Sequence, residues 1–201
     1  KWKHPEVAVK TAEGLKKAGY QFKLTLIGDG EAKSDLVSYV QQNQLQDVVD
    51  FKGFMSPDEV RNHMEEADIF LFTSDFNEGW GAVLNESMNS GCAVVASHAI
   101  GSVPFLVKHG INGMIYKNGD DKELLSLVMQ LCDDDNLRES IGKQAYRTLA
   151  EEWNAKNAAV NFLKLAQSIL NRKKIEIPSG PCSVAEVVSQ KKMYEFIRKV
   201  H

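Results

Sequence analysis

Short apolar runs that alternate with helical stretches constrain this chain most. FKLTLIG (22–28), VVDFKG (48–53), DIFLFTS (68–74) and AVVAS (93–97) read as β-strands, and GMIY around Met114 to Tyr116 reads as a fifth. Helical segments of about 10 to 15 residues separate them, which predicts a parallel sheet with helices on both faces, the doubly wound α/β arrangement. DIFLFTS is almost continuously apolar, as a strand buried on both faces should be. Ser56-Pro57-Asp58-Glu59 predicts a capping box with proline at the first helical position.

Beyond Gly119 the strand signals stop. Asp120 to Cys132, Asn136 to Glu152 and Ala155 to Asn171 are expected as three successive helices. The segment NRKKIEIPSGP that follows has linker chemistry, and Ser183-x-x-Glu186 is expected to cap a final helix too apolar to be a free tail. We therefore divide the chain into a Rossmann-like domain, 1–171, and a linker with a C-terminal helix, 172–201. A start at Lys1 that leads almost at once into the helical stretch PEVAVKTAEGLKKAG suggests a piece of a longer protein.

A chain of 201 residues, 43 % hydrophobic and 25 % charged, can bury a sizeable core. Its net charge of −3 gives no general attraction to nucleic acid. No apolar run reaches the roughly 20 residues of a membrane span. Cys92, Cys132 and Cys182 lack a C-x-x-C pair and read as reduced thiols of a cytosolic protein. Asp133-Asp134-Asp135 reads as a solvated helix junction, not a metal site.

In an open parallel sheet, ligands bind at the carboxyl ends of the strands. There the sequence places Gly28-Asp29-Gly30, Gly53-Phe54-Met55, the 73–81 segment and 97–101. The most informative stretch is EGWGAVLNE, Glu78 to Glu86. A helix starting near Gly81 or Ala82 would present unpaired amides and its positive end, which suit a diphosphate. Glu86 would lie about 7 Å along the axis, placed to accept from a ribose diol. The same residues also read as two surface acids favoured by a helix dipole, with Trp80 as a core anchor, and the residues alone leave both readings open. GDGEAK lacks the G-x-G-x-x-G dinucleotide fingerprint.

From about Lys3 to Asn171 the chain resembles the C-terminal, donor-binding half of a group 1 (family 4) retaining glycosyltransferase of GT-B fold. LTLIGDG, VVDFKGFMSPDEV, ADIFLFTSDFNEGWGAVLNESMNSGCAVVAS and HGINGMIY carry the resemblance, with Glu78 and Glu86 matching the family's E-x7-E pair. The resemblance implies that Glu86 binds the ribose and that Glu78 holds the donor sugar near its reacting carbon, as a positioning group more than a nucleophile. It assigns the diphosphate to the backbone of Gly79, Trp80, Gly81, Ala82 and Val83, with Lys3 neutralising charge. Gly53, Phe54 and Met55 would border the base, and Gly28 and Gly30 would line the cleft.

The implied substrate is a nucleotide-diphosphate sugar, with no cofactor and no metal. The acceptor, a sugar or lipid-linked saccharide, and a further histidine would come from an absent N-terminal domain, so this piece alone should bind donor weakly and turn over little. Bacterial surface polysaccharide or glycolipid synthesis is the family-level expectation. The expected location is the cytoplasm, with peripheral contact at the inner membrane face through NRKK as the alternative to a plain linker. A sugar-nucleotide epimerase or phosphorylase, or a non-catalytic nucleotide-binding module, are the rival readings. The chain departs from the family at Ala93 (usually proline), Phe105 (often glutamate) and His4 (usually glycine), and a Gly-Arg pair would precede Lys1.

Overall fold

The computed structural model describes residues 2–185 and 188–199. Its strands are β1 (Leu24–Ile27), β2 (Val49–Gly53), β3 (Ile69–Phe72), β4 (Ala93–Ser97) and β5 (Met114–Tyr116). The α-helices are α1 (Pro5–Lys17), α2 (Lys33–Gln42), α3 (Pro57–Glu65), α4 (Val83–Asn89), α5 (Val103–Leu106), α6 (Asp121–Asp133), α7 (Asp135–Arg147), α8 (Ala155–Leu170) and α9 (Gln190–Lys199), with a π-helical turn over Thr148–Glu152.

All strand pairs are parallel, as expected, but they form two sheets, β1-β2 and β3-β4-β5. No ladder joins β1 to β3 among the described residues, so each of these strands is paired on one side only. That also explains β3: Ile69, Phe70 and Leu71 are half-buried where full burial was expected. By contrast β4, between two neighbours, is buried at every residue.

The two faces of β4 sort the core by strand periodicity. Val94 and Ala96 pack with Leu84, Met88 and Ala145 from α4 and α7. Ala93 and Val95 pack with Leu124, Val128 and Leu131 from α6, and with Leu15 from α1. Helices therefore cover both faces of this sheet, and α1 also reaches the other sheet, where Val9 and Ala12 pack with Leu36, Val40 and Val49.

At the start of α3 the capping box forms in full. The Glu59 amide donates to Ser56 Oγ at 3.3 Å and the Ser56 amide donates to Glu59 Oε2 at 2.8 Å, with Pro57 opening the helix. Ser56→Ala should lower stability by about 1 kcal/mol, read as a lower midpoint in urea with an unchanged slope.

Of the expected C-terminal helices, the second ends early: α7 stops at Arg147 and the chain relaxes into the π-helical turn, where Thr148 Oγ1 accepts from Asn112 Nδ2 at 2.8 Å. In the triple-aspartate junction, Asp134 caps α7 by accepting from the Leu137 amide at 2.9 Å. Asp133 accepts from the Tyr20 hydroxyl, and Asp135 pairs with Arg138. The final helix begins at Gln190, later than the proposed Ser183 cap; Glu186 lies outside the described residues. It docks on this domain. Ile197 is buried with the β4 cluster, Tyr194 donates to Glu123, and Arg198 Nη1 donates to the Ile115 carbonyl at 2.9 Å.

Candidate functional site

At the carboxyl end of β3 the chain meets its own N-terminal residues. Thr73 Oγ1 donates to the Lys3 carbonyl at 2.8 Å, and the Asp75 amide donates to the Trp2 carbonyl at 3.0 Å. These two bonds fix Lys3 beside the loop that follows β3, 75 residues from its ionic partner. The Lys3 ammonium lies 3.0 Å from Glu78 Oε2, and the buried Ser74 hydroxyl donates to the same oxygen at 3.1 Å. The Glu78 side chain is only 13 % exposed and Lys3 is 60 % exposed, so the carboxylate is held and the ammonium is free to turn.

The loop then runs under steric control. Gly81 has φ +74°, and a Cβ there would lie 2.6 Å from the Phe72 ring, so only glycine makes this turn against β3. Gly101, in the turn after β4, lets the Gly79 carbonyl approach so closely that a Cβ would fall well inside 3.0 Å of its oxygen. The first bonds that lead into α4 run from Leu84 to Gly81 and from Glu86 to Ala82. Among the described residues, no backbone or side-chain acceptor takes the amides of Gly79, Trp80, Gly81, Ala82 and Val83. Leu84, Ser87 and Met88 point into the core, which leaves Glu86 exposed on the opposite side of α4. The result is a row of open amides with a held carboxylate before it and an exposed one after it.

Trp80 contributes its backbone to that row and its ring to a packing cluster. Its indole lies 5.7 Å from Phe105 and 5.9 Å from Trp153, and its Nε1 donates to Asn85 Oδ1 at 2.9 Å. Phe105 is thus an aromatic packing partner of both tryptophans.

A second group gathers at the carboxyl ends of β1 and β2. Gly28 (φ +120°) donates to the Gly53 carbonyl at 2.7 Å, joining the two loops. The Gly30 amide turns back to Asp29 Oδ1 at 2.8 Å, Met55 is half-buried, and the Phe54 ring stands 84 % exposed. The predicted site residues therefore form two clusters, one on each sheet. The sequence marked the 73–81 and 97–101 segments as loops at this edge, but gave no individual role to Thr73, Ser74 or Asp75 and no steric role to Gly101. Small or polar residues just after an apolar run are the signal that could have found them.

His4 links the first cluster to α1. It adopts φ +47°, the left-handed region that glycine enters without strain. Both ring nitrogens are engaged, Nε2 with Asp75 Oδ2 and Nδ1 with Glu6 Oε1, each at 2.9 Å. The bond to Asp75, and then that to Glu6, raises the imidazole pKa above its ordinary 6.5, while His4 and the Asn77 amide lower that of Asp75. A raised folded-state value means that this contribution to stability is fully present below about pH 6.5 and is lost as the pH rises through the folded pKa. Asp75→Asn should bring the His4 pKa, followed by NMR of the ring protons, back toward the ordinary value.

Burial places the Cys92 thiol beyond reactivity, with its pKa raised to about 11 and its S–H directed at the Met64 carbonyl. Among the described residues, no group of His, Cys, Asp and Glu side chains could hold a metal ion.

Residues 1–148 match the model of the family described as "Glycosyl transferases group 1". The chain belongs to this family. Two relatives are named for polysaccharide biosynthesis. It is 32 % identical over 130 residues to the amylovoran biosynthesis glycosyltransferase AmsK of Erwinia amylovora, covering 62 % of this chain and 32 % of that one. It is 29 % identical over 170 residues to the putative colanic acid biosynthesis glycosyltransferase WcaL of Salmonella typhimurium, covering 81 % of this chain and 41 % of that one.

The chain thus spans a third to two-fifths of the length of these curated relatives. Among solved structures, the C-terminal domain of the group 1 glycosyl transferase LpcC from Francisella tularensis superposes with TM-score 0.68 at 25 % identity, covering 74 % of this chain and 78 % of that one. HepE from Anabaena, solved with UDP-glucose, superposes with TM-score 0.67 at 24 % identity, covering 85 % of this chain and 46 % of that one. These likenesses agree with the GT-B half expected from the motifs.

Proposed function

We propose that this chain is the donor-binding half of an enzyme that transfers a glycosyl unit from a nucleoside diphosphate sugar to an acceptor hydroxyl, with retention at the anomeric carbon. Synthesis of a bacterial surface polysaccharide or glycolipid is the setting we assign to it. The open amide row from Gly79 to Val83, set between Glu78 and Glu86, is the observation that carries the reading.

In this scheme the amides take the diphosphate oxygens and Glu86 accepts from the ribose diol. Lys3 exchanges one partner for another: its exposed ammonium leaves Glu78 for the arriving phosphates, which frees the carboxylate to accept from hydroxyls of the donor sugar. As the anomeric C–O bond breaks, charge accumulates on the diphosphate, where the amides and Lys3 stabilise it. That is preorganised electrostatic catalysis with no cation required. Phe54, Met55 and the joined Gly28–Gly53 turn, with Gly30 beside it, would border the base. The acceptor and the opposing wall of the cleft would be supplied by the rest of a longer protein, so the chain alone should bind nucleotide but transfer little.

Isothermal titration with UDP, GDP and ADP tests the donor half of this reading. Saturable binding of at least one is expected. The absence of any heat of binding from a chain that circular dichroism shows to be folded would contradict it.

A further inference from the structure

The donor scheme makes no use of His98, a buried imidazole directly after β4 that is only 6 % exposed. Its amide donates to the Tyr116 carbonyl at 3.0 Å, and its Nδ1 accepts from the Asn118 amide at 2.9 Å. Burial first, and then the Lys117 charge, hold its pKa below the ordinary 6.5, so Nδ1 stays an acceptor at neutral pH. The ring is therefore fixed by backbone at the end of β5. Two further rings meet it edge-on, Phe76 at 5.4 Å and 90° and Tyr194 at 5.4 Å and 76°. One comes from the loop after β3 and the other from α9.

Phe76 stands inside the turn that delivers Glu78. The Glu78 amide donates to the Asp75 carbonyl at 3.0 Å, and the Asn77 amide donates to Asp75 Oδ1 at 2.8 Å. His4 and the Trp2 carbonyl hold the Asp75 end, and the His98 ring holds Phe76, which is 42 % exposed. A four-residue turn closed in this way moves as a unit, so a displaced Phe76 displaces Glu78 and the open amides that follow.

The Tyr194 end is anchored as firmly. Its hydroxyl donates to Glu123 at the start of α6, and Arg198 lies 3.3 Å from the same carboxylate and 5.5 Å from the Tyr194 ring centroid. Ile197 is buried in the β4 cluster, with Met193 and Phe196 packed against it. The family match ends at residue 148, so α9 belongs to a part of the chain outside it.

We propose that α9 is a positioning element of the donor site: Tyr194 seats His98, His98 seats Phe76, and Phe76 sets the turn that presents Glu78 and leads into the amide row. Edge-to-face contact is the favoured geometry of such rings, and close-packed groups pass a displacement on instead of absorbing it. Tyr194 and His98 are positioning residues, since they act on ligand only through the loop. The effect on ligand rests on the donor reading, whereas the effect on the loop rests on the ring geometry alone.

Hydrogen exchange in the ligand-free 201-residue chain tests the loop half. In Tyr194→Ala the Asn77 and Glu78 amides should exchange about three- to tenfold faster, the worth of one aromatic pair, with the amides of β4 unchanged. Tyr194→Phe keeps the ring, drops only the bond to Glu123, and should keep the parent's rates. Titration with UDP, GDP and ADP then reads the site. Tyr194→Ala and Phe76→Ala should each weaken binding about three- to tenfold, and the double variant no more than the stronger single, because both cut one path. Unchanged exchange at Asn77 and Glu78 in Tyr194→Ala overturns the proposal, as do losses that multiply in the double variant, or a Tyr194→Phe as impaired as Tyr194→Ala. A parent chain that binds none of the three nucleotides contradicts the donor reading instead, and the exchange rates still decide whether α9 holds the loop.

Discussion

Gly101→Ala is expected to weaken nucleotide binding by about tenfold or more and to lower stability by about 1–3 kcal/mol, the range of overpacked sites. The added methyl would sit where the Gly79 carbonyl now lies, with the Gly79 carbonyl carbon 3.0 Å away as well. Neither atom is the flexible end of a side chain, so the backbone of the loop must move. The same displacement would carry the amides of Gly79 to Val83 off their present line. Urea denaturation and calorimetric titration on one preparation separate the two effects. A stability loss with unchanged affinity would mean that the position of the loop is irrelevant to ligand.

Glu86→Ala should weaken binding without the loss of stability. Glu86 is exposed on α4 and takes no part in the core formed by Leu84 and Met88, so the melting temperature should change little. Two hydrogen bonds from a ribose diol to a carboxylate are charge-assisted, and their loss should weaken binding by roughly ten- to a hundredfold. A large fall in stability with unchanged affinity would make Glu86 structural. Read together, the two variants distinguish a residue that touches the ligand from one that shapes the loop.

Much of this fold is legible in the sequence because its strands are short, largely apolar and separated by turn and helix signals. LTLI, VDFKG, IFLF, AVVAS and MIY all form strands, and Ser56 to Glu59 forms its capping box. The small residues after Glu78 likewise indicated where a helix would begin, to within two residues of Val83. Strand neighbours were less legible. Whether β1 pairs with β3 depends on tertiary placement that no local pattern encodes, and the half-burial of IFLF follows from that unpaired side.

In the site, the glycines were visible but their reasons were not. Gly101 looks like any turn glycine until the approach of Gly79 is seen. The Lys3–Glu78 pair joins residues 75 apart and is set by bonds from Thr73 and Asp75 to backbone carbonyls. α8 was correctly expected as a helix, but its apolar stripe carried no sign of facing outward, because periodicity gives the width of a stripe and not its direction.

The central claim is that the 78–86 segment is a clamp whose backbone takes a diphosphate. Titrating the 15N-labelled chain with UDP, and with GDP or ADP if either binds more tightly, tests it amide by amide. The account predicts saturable shifts concentrated at Gly79, Trp80, Gly81, Ala82 and Val83, with smaller ones at Gly28 and Gly53. Saturable shifts elsewhere, with residues 79–83 unmoved, would contradict it.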